Sequence, residues 1–208
     1  MQISIKFLCF YLFFYLSNNL VGQSPNPLID KKNIFDQEKW VDSIYSKLSL
    51  EEKVGQLFMP MVFTERDSSH FNFTLDLIKK YKIGGLVFSL GGPIEQTKWL
   101  NAFQRESKVP LMTAMDAEWG VAMRLDSVMP FPWPMTLGAI KDSTLLRKIG
   151  KRMGMQEKRL GIHFSFGPTL DINTNPNNPI IGNRSYGSSP DRVIRQALSI
   201  MKGQQEAG

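Results

Sequence analysis

Four short apolar runs recur along this chain, each preceded or followed by a segment with helical periodicity. That alternation constrains the fold more than any other feature. The runs are Gln56-Leu-Phe-Met-Pro-Met-Val-Phe63, Leu86-Val-Phe-Ser-Leu90, Val109 to Met115 and Ile162 to Leu170. A run of this length bounded by turn residues reads as a buried strand, and strands alternating with amphipathic helices mean parallel βαβ units. The helices announce their own ends. Asp36 is placed to cap a short helix through Lys47. Ser49-Leu-Glu-Glu52 is a capping box, in which the serine accepts from the first turn and Glu52 reaches back. Leu50, Val54, Leu57 and Phe58 then share one helical face. Asn72 is expected to start a helix through Tyr81, with Gly84 ending it. Gly92-Pro93 opens a helix to about Glu106 with proline at its first position. A long helix spans Asp142 to Leu160, with Leu145, Ile149 and Met153 at four-residue spacing. Ser189-Pro190-Asp191 starts the last helix, whose expected buried face is Val193, Ile194, Ala197, Leu198 and Met201.

Two α/β architectures compete for this pattern, an open doubly wound sheet and a (β/α)8 TIM-type barrel. No G-x-G-x-x-G follows any strand, and Gly84-Gly85 precedes its strand rather than following it. No G-x-x-x-x-G-K-[ST] occurs, so a P-loop is excluded. A complete barrel needs about 250 residues. The chain has 208, and Gln204-Gln-Glu-Ala-Gly208 closes a helix where a fifth strand is expected. It therefore reads as a truncated chain, with only the first four βα units of a barrel present.

The N-terminus reads as an address. Lys6 precedes ten unbroken apolar residues, Phe7 to Leu16, followed by Ser17-Asn18-Asn19. Ten residues are too few to span a bilayer as a helix but suit a signal-peptide core. Cleavage after Gly22 is expected, which makes residues 1–22 a signal peptide. The alternative is an anchor left uncleaved. Export to the periplasm or cell surface follows, with no stable membrane span after cleavage. Residues 23–48 form a proline-containing linker and lead-in helix, and residues 49–208 the α/β domain.

Composition removes other classes. The single cysteine, Cys9, excludes an internal disulfide and a cysteine-rich zinc site. His70 and His163 form no HExxH pair, and no metal or other cofactor is implied. The net charge of +6 is scattered, with no basic stretch interleaved with aromatics. Nucleic acid is therefore not an expected partner.

The chemistry sits where strands end. Asp116 follows the third strand and Asp171 follows the fourth. In a parallel α/β fold both then lie on the rim at the carboxyl ends of the strands, where such folds bind ligands. Arg124 lies eight residues beyond Asp116, in the loop Glu118-Trp-Gly-Val-Ala-Met-Arg124. It is able to salt-bridge Asp116 with no further role. It is equally able to hold a hydroxyl-rich ligand with it, one as donor and one as acceptor. The loop from Asn173 to Ser188 is long enough to suggest function. Arg184 near its end either reaches into the pocket or staples the loop through its own carbonyls. Asp171 either serves the rim or caps a loop. Ser185 is not in a G-x-S-x-G elbow and reads as structural. His163, inside the fourth strand, reads as a satisfied core histidine.

These residues resemble a known family. Asp116-Ala-Glu-Trp-Gly-Val-Ala-Met-Arg124, Gly167-Pro-Thr-Leu-Asp171-Ile and Ile181-Gly-Asn-Arg-Ser-Tyr-Gly187 are similar to motifs of glycoside hydrolase family 3. Leu50-Glu-Glu-Lys-Val-Gly-Gln56 looks like its N-terminal lead-in. The branch most resembled is the bacterial β-N-acetylhexosaminidases, and the resemblance runs from about Ser49 to Gly208. It implies a (β/α)8 barrel and a retaining hydrolysis of terminal β-linked N-acetylhexosamine, as in peptidoglycan turnover. In that mechanism an aspartate nucleophile forms a glycosyl-enzyme that water releases. It also implies that Asp116, Arg124 and Arg184 bind the terminal sugar's hydroxyls and that Asp171 orders the rim. The family's Lys-His pair, its histidine loop and its nucleophile strand have no counterpart here. The nucleophile and the acid/base are expected beyond Gly208, as is any C-terminal domain. The 208 residues alone are then expected to be inactive and poorly soluble. The alternatives are a β-glucosidase or β-xylosidase of the same family, or a non-catalytic sugar-binding homologue.

Overall fold

The computed structural model describes residues 33–208. The signal peptide expected over 1–22, and all but the end of the linker, lie outside the described residues. The chain divides into two compact units after Lys47. In the first, helix α1 spans Ile34–Tyr45. Asn33 is its N-cap, and Asp36 lies in the first turn rather than at the cap expected of it.

The second unit, Leu48–Gly208, carries the α/β domain. Helix α2 is Leu50–Gly55. Its capping box forms as expected: Glu52 N–H donates to Ser49 Oγ at 3.2 Å, and Ser49 N–H to Glu52 Oε2 at 3.1 Å. The apolar face does not bury, since Leu50, Leu57 and Phe58 are 73%, 82% and 59% exposed. Strand β1 is Met61–Val62, much shorter than 56–63, because Leu57 and Phe58 continue the helical turn by bonding Val54 O and Gly55 O. Helix α3, Ser68–Tyr81, begins a turn earlier than Asn72, because Asp67 caps it by accepting from Ser69 N at 3.1 Å. Lys82, at φ 52°, ends it. Gly84 has a different purpose from the one expected: a Cβ there would stand 2.0 Å from Gln56 O, so only glycine admits the close approach.

The remaining elements are β2 Gly85–Phe88, α4 Pro93–Glu106, β3 Met112–Met115, α5 Pro134–Gly138, α6 Ser143–Arg159, β4 Phe164–Ser165 and α7 Pro190–Gln205. Helix α4 has the bounds and the N1 proline expected. The four strands pair in parallel in the order β1-β2-β3-β4, with Met61 opposite Val87, Val87 opposite Ala114 and Ala114 opposite Phe164. All carboxyl ends therefore lie on one face of an open sheet. Exposed apolar side chains gather at its outer strands, Met61 by β1 and Phe164 and Phe166 by β4.

Two cores hold the unit together. Val62, Leu86, Phe88, Leu111 and Met115 from the strand regions pack on Ile78 of α3 and Trp99 and Phe103 of α4. Fully burying side chains of this size contributes about 1.5–3 kcal/mol each. The second core joins Leu137 of α5, Leu146 and Met153 of α6, and Val193, Ala197 and Ile200 of α7 around Tyr186. The buried faces of α6 and α7 include Met153, Val193 and Ala197 as expected but leave out three of the other positions. Leu145, Ile194 and Leu198 are 44%, 54% and 40% exposed. Gly150, Gly154 and Gly203 instead let α6 and α7 meet backbone to backbone; a Cβ on Gly150 would stand 2.1 Å from Ile200 O. Glycine carries no hydropathy signal, yet it sets where the two helices meet.

His163 also differs from expectation. It is satisfied, with its N–H donating to Thr113 O at 2.9 Å and its Nδ1 accepting from Thr113 N at 3.1 Å. It is exposed at the sheet edge, however, rather than in the core.

Candidate functional site

Strand β3 ends at Met115, so Asp116 leaves the sheet at its carboxyl face, beside the loops that follow β2 and β4. The chain then folds back through a 3-10 turn, Val121–Met123, which delivers Arg124 to Asp116. Arg124 Nε donates to Asp116 O at 3.0 Å, and Nη2 pairs with Asp116 Oδ2. Both side chains stay partly open, at 23% and 33% exposure. The salt bridge that spacing allowed therefore exists, and it leaves both charged groups within reach of solvent.

Arg184 does not bond Asp116. It rises from a second 3-10 turn, Gly182–Arg184, and forks onto Glu118. Nε donates to Oε2 at 2.8 Å and Nη2 to Oε1 at 2.5 Å. The loop staple is also present, since Nη1 donates to Ile180 O at 3.3 Å. A guanidinium has five N–H groups, so donor capacity remains for a ligand. Sequence reasoning places Glu118 only in the loop to Arg124 and does not single it out as a site residue. The signal that could have found it is its place two residues past Asp116, on the same rim, in a chain whose Arg184 needed an anion. The bond from Arg184 holds its carboxyl below the usual range, against the opposing effect of burial.

The two pairs act as one electrostatic cluster. Asp116 and Asp171 join Glu118 in raising the pKa of Arg184, and Arg124 helps to lower that of Glu118. Asp171 is exposed. Its backbone carbonyl accepts from Ser185 Oγ at 2.6 Å, which ties the strand-four loop to the segment next to Arg184. Ser185 is fully buried and bonded also to Gly187, in keeping with a structural role. Next to it, Tyr186 is buried, and burial raises its phenol pKa, followed by the nearby Glu118 charge.

Such an arrangement of paired carboxylates and guanidiniums offers acceptors and donors side by side, suited to hydroxyl groups. Among the described residues no group of three or more His, Cys, Asp or Glu is placed to hold a metal, and no helix is long and apolar enough to cross a membrane.

The chain is 32% identical over 146 residues to Beta-hexosaminidase A of Pseudoalteromonas piscicida, covering 64% of this chain and 24% of that protein. Among solved structures, a glycoside hydrolase family 3 beta-N-acetylglucosaminidase from Paenibacillus sp. superposes with a TM-score of 0.68 at 34% identity, over 77% of this chain and 31% of that one. The Beta-glucoside phosphorylase BglX bound to 2FGlc superposes with a TM-score of 0.75 at 26% identity, over 86% and 31%. The chain thus spans well under half the length of these relatives. The family profile described as Glycosyl hydrolase family 3 N terminal domain matches residues 49–208, from the capping serine of α2 to the last residue, and the chain belongs to that family.

Proposed function

We propose that this chain is the terminal-sugar-binding part of an exported β-N-acetylhexosaminidase acting on cell-wall or related glycans by a retaining mechanism. The observation that carries this is the coupled pair of ion pairs, Asp116–Arg124 and Glu118–Arg184, on the carboxyl rim of a family 3 domain. In this role Asp116 accepts from sugar hydroxyls while Arg124 and Arg184 donate to them, and Asp171 orders the rim. The nucleophile and the acid/base are assigned outside the 208 residues, in a (β/α)8 barrel to which these four strands contribute. The apolar side chains exposed at both outer strands support a barrel that continues past them. The apolar run Phe7 to Leu16 supports export.

Similarity to a beta-glucoside phosphorylase favours a second reading, a β-glucoside-acting enzyme with the same rim. The deciding experiment compares a chromogenic β-N-acetylglucosaminide with the matching β-glucoside, using the natural gene product that carries residues 1–208. Faster cleavage of the N-acetylated substrate, with retention of anomeric configuration, is the expected result. Preference for the glucoside overturns the first assignment in favour of the second, and cleavage of neither points to a non-catalytic homologue.

A further inference from the structure

Two indoles stack where the rim loop that follows β3 meets the start of α5. The rings of Trp119 and Trp133 lie 4.1 Å apart between centroids, tilted by only 25°. Trp119 immediately follows Glu118 in the rim loop and is half-buried. Trp133 is the N-cap of α5 and is 47% exposed. Both are tied to the surroundings of Arg184. Trp119 is tied through its neighbour Glu118, which Arg184 grips. Trp133 is tied through α5, whose Gly138 packs so closely on Tyr186 that a Cβ would stand 1.9 Å from its carbonyl oxygen. Tyr186 is two residues from Arg184.

The exposed indole is also held rigidly. Trp133 lies between Pro132 and Pro134, and its extended backbone, φ −58° and ψ 152°, is what a residue before proline adopts. Stacking on Trp119 fixes the ring plane. Loop packing alone does not call for so large an aromatic left nearly half in water. A rigid, half-exposed aromatic face beside a polar site is instead a usual component of small-molecule pockets.

We infer that the Trp119–Trp133 stack is the platform for the second pyranose of a β-linked glycan, adjoining the terminal sugar held by Asp116, Arg124 and Arg184. The axial C–H bonds of a pyranose present an apolar, weakly positive face, which matches the negative face of an indole ring. The hydroxyls around the sugar's edge stay in water. The inference rests on the terminal-sugar assignment above, because that assignment fixes which end of the glycan meets the platform.

The test is a calorimetric titration of the natural gene product that carries residues 1–208 with N-acetylglucosamine and with its β-1,4-thio-linked dimer, which resists hydrolysis, in the wild type, Trp133→Ala, Trp133→Phe and Asp116→Ala. The wild type should bind the dimer about five- to tenfold more tightly than the monomer, the range open to one aromatic contact. Trp133→Ala should remove that preference while monomer affinity changes less than about twofold. Trp133→Phe should keep most of it. A dimer preference that survives Trp133→Ala overturns the platform. So does an equal loss for both sugars accompanied by a fall in Tm, which marks a structural indole. The terminal-sugar assignment fails separately, when Asp116→Ala leaves monomer binding intact. If the wild type binds neither sugar, both are overturned.

Discussion

Arg184 reaches Glu118 across 66 residues of chain and closes a two-bond fork on it, at 2.8 and 2.5 Å. The pair is asymmetric. Glu118 is 6% exposed, while the Arg184 side chain is 33% exposed. The carboxylate is therefore the buried anchor and the guanidinium the arm that faces outward. Without Glu118, Arg184 would keep only its bond to the Ile180 carbonyl and would lose the orientation that the rim requires.

Glu118→Gln should therefore destabilise the protein by about 2 kcal/mol at pH 7, the scale of a hydrogen bond to a charged group. The pH dependence has a definite sign. The folded-state pKa of Glu118 lies below its ordinary value of 4.5, so its contribution is present above that value. It is lost as pH falls through the lower folded value. Urea denaturation of wild type and Glu118→Gln should show a gap at pH 7 that narrows in acid. A gap of constant size from pH 7 down to pH 3 would contradict the ion pair as its source.

Asp116→Ala separates binding from stability. The Asp116–Arg124 pair is partly open to water on both sides, and such pairs contribute about 0–1 kcal/mol. A bond from a charged group to a sugar hydroxyl in a site contributes about 1.5–3 kcal/mol, which corresponds to roughly ten- to a hundred-fold in affinity. Affinity for N-acetylglucosamine should thus fall far more than Tm. If Asp116 serves only to anchor Arg124, the order reverses and the mutant melts early while binding sugar normally when cold.

The sequence exposed the parallel order of the strands, the capping box at Ser49, the helix starts at Asp142 and Ser189, and the rim positions of Asp116, Arg124 and Arg184. Each of these is written locally, in an apolar run, a cap or a strand end. What stayed hidden depends on contacts between distant segments. The Glu118–Arg184 fork joins two loops that no spacing rule connects. The buried stripe of α7 runs through Gln196 and Gly203 rather than Ile194 and Leu198, because α6 approaches on that side. The strands are shorter than their apolar runs, since an apolar residue such as Leu57 looks the same whether it lies in a strand or on an exposed turn.

Gly150→Ala probes that helix contact directly. The added methyl would stand 2.1 Å from the Ile200 carbonyl oxygen, which belongs to backbone and cannot swing away. In an exposed helix Ala for Gly is favourable by about 0.8–1.0 kcal/mol. Overpacking costs about 1–3 kcal/mol and here must separate two helices along their length. The net effect should be a loss of stability, with Tm lower than wild type in a thermal melt. A Tm equal to or above that of wild type would show that α6 and α7 are not in backbone contact.

Glu157→Gln should do the opposite and stabilise. Glu157 is 6% exposed on α6, where its Oε1 accepts from Ser165 Oγ at 2.9 Å and from Gln204 Nε2 at 3.1 Å. None of the ion pairs among the described residues includes it. Burial pushes its pKa above the ordinary 4.5, and the two neutral donors only partly oppose that. A raised folded-state value means that the native state holds its proton longer than the unfolded chain does. The stability linked to this group is fully present below pH 4.5 and is lost as pH rises through the folded value. At neutral pH the buried carboxylate is therefore a liability. Glutamine keeps the shape and the acceptor oxygen without the charge, so Glu157→Gln should add about 1–2 kcal/mol at pH 7, the scale of relieving an unfavourable polar burial. It should add less at pH 4, below the ordinary value, where the upward shift favours the protonated carboxyl. Glu157→Ala should lose stability at both pH values, because Ser165 and Gln204 would then be left without their acceptor. Denaturant midpoints of the three proteins at pH 4 and pH 7 decide the matter. A Glu157→Gln protein less stable than wild type at pH 7 would mean that the ionised carboxylate is favoured in this site.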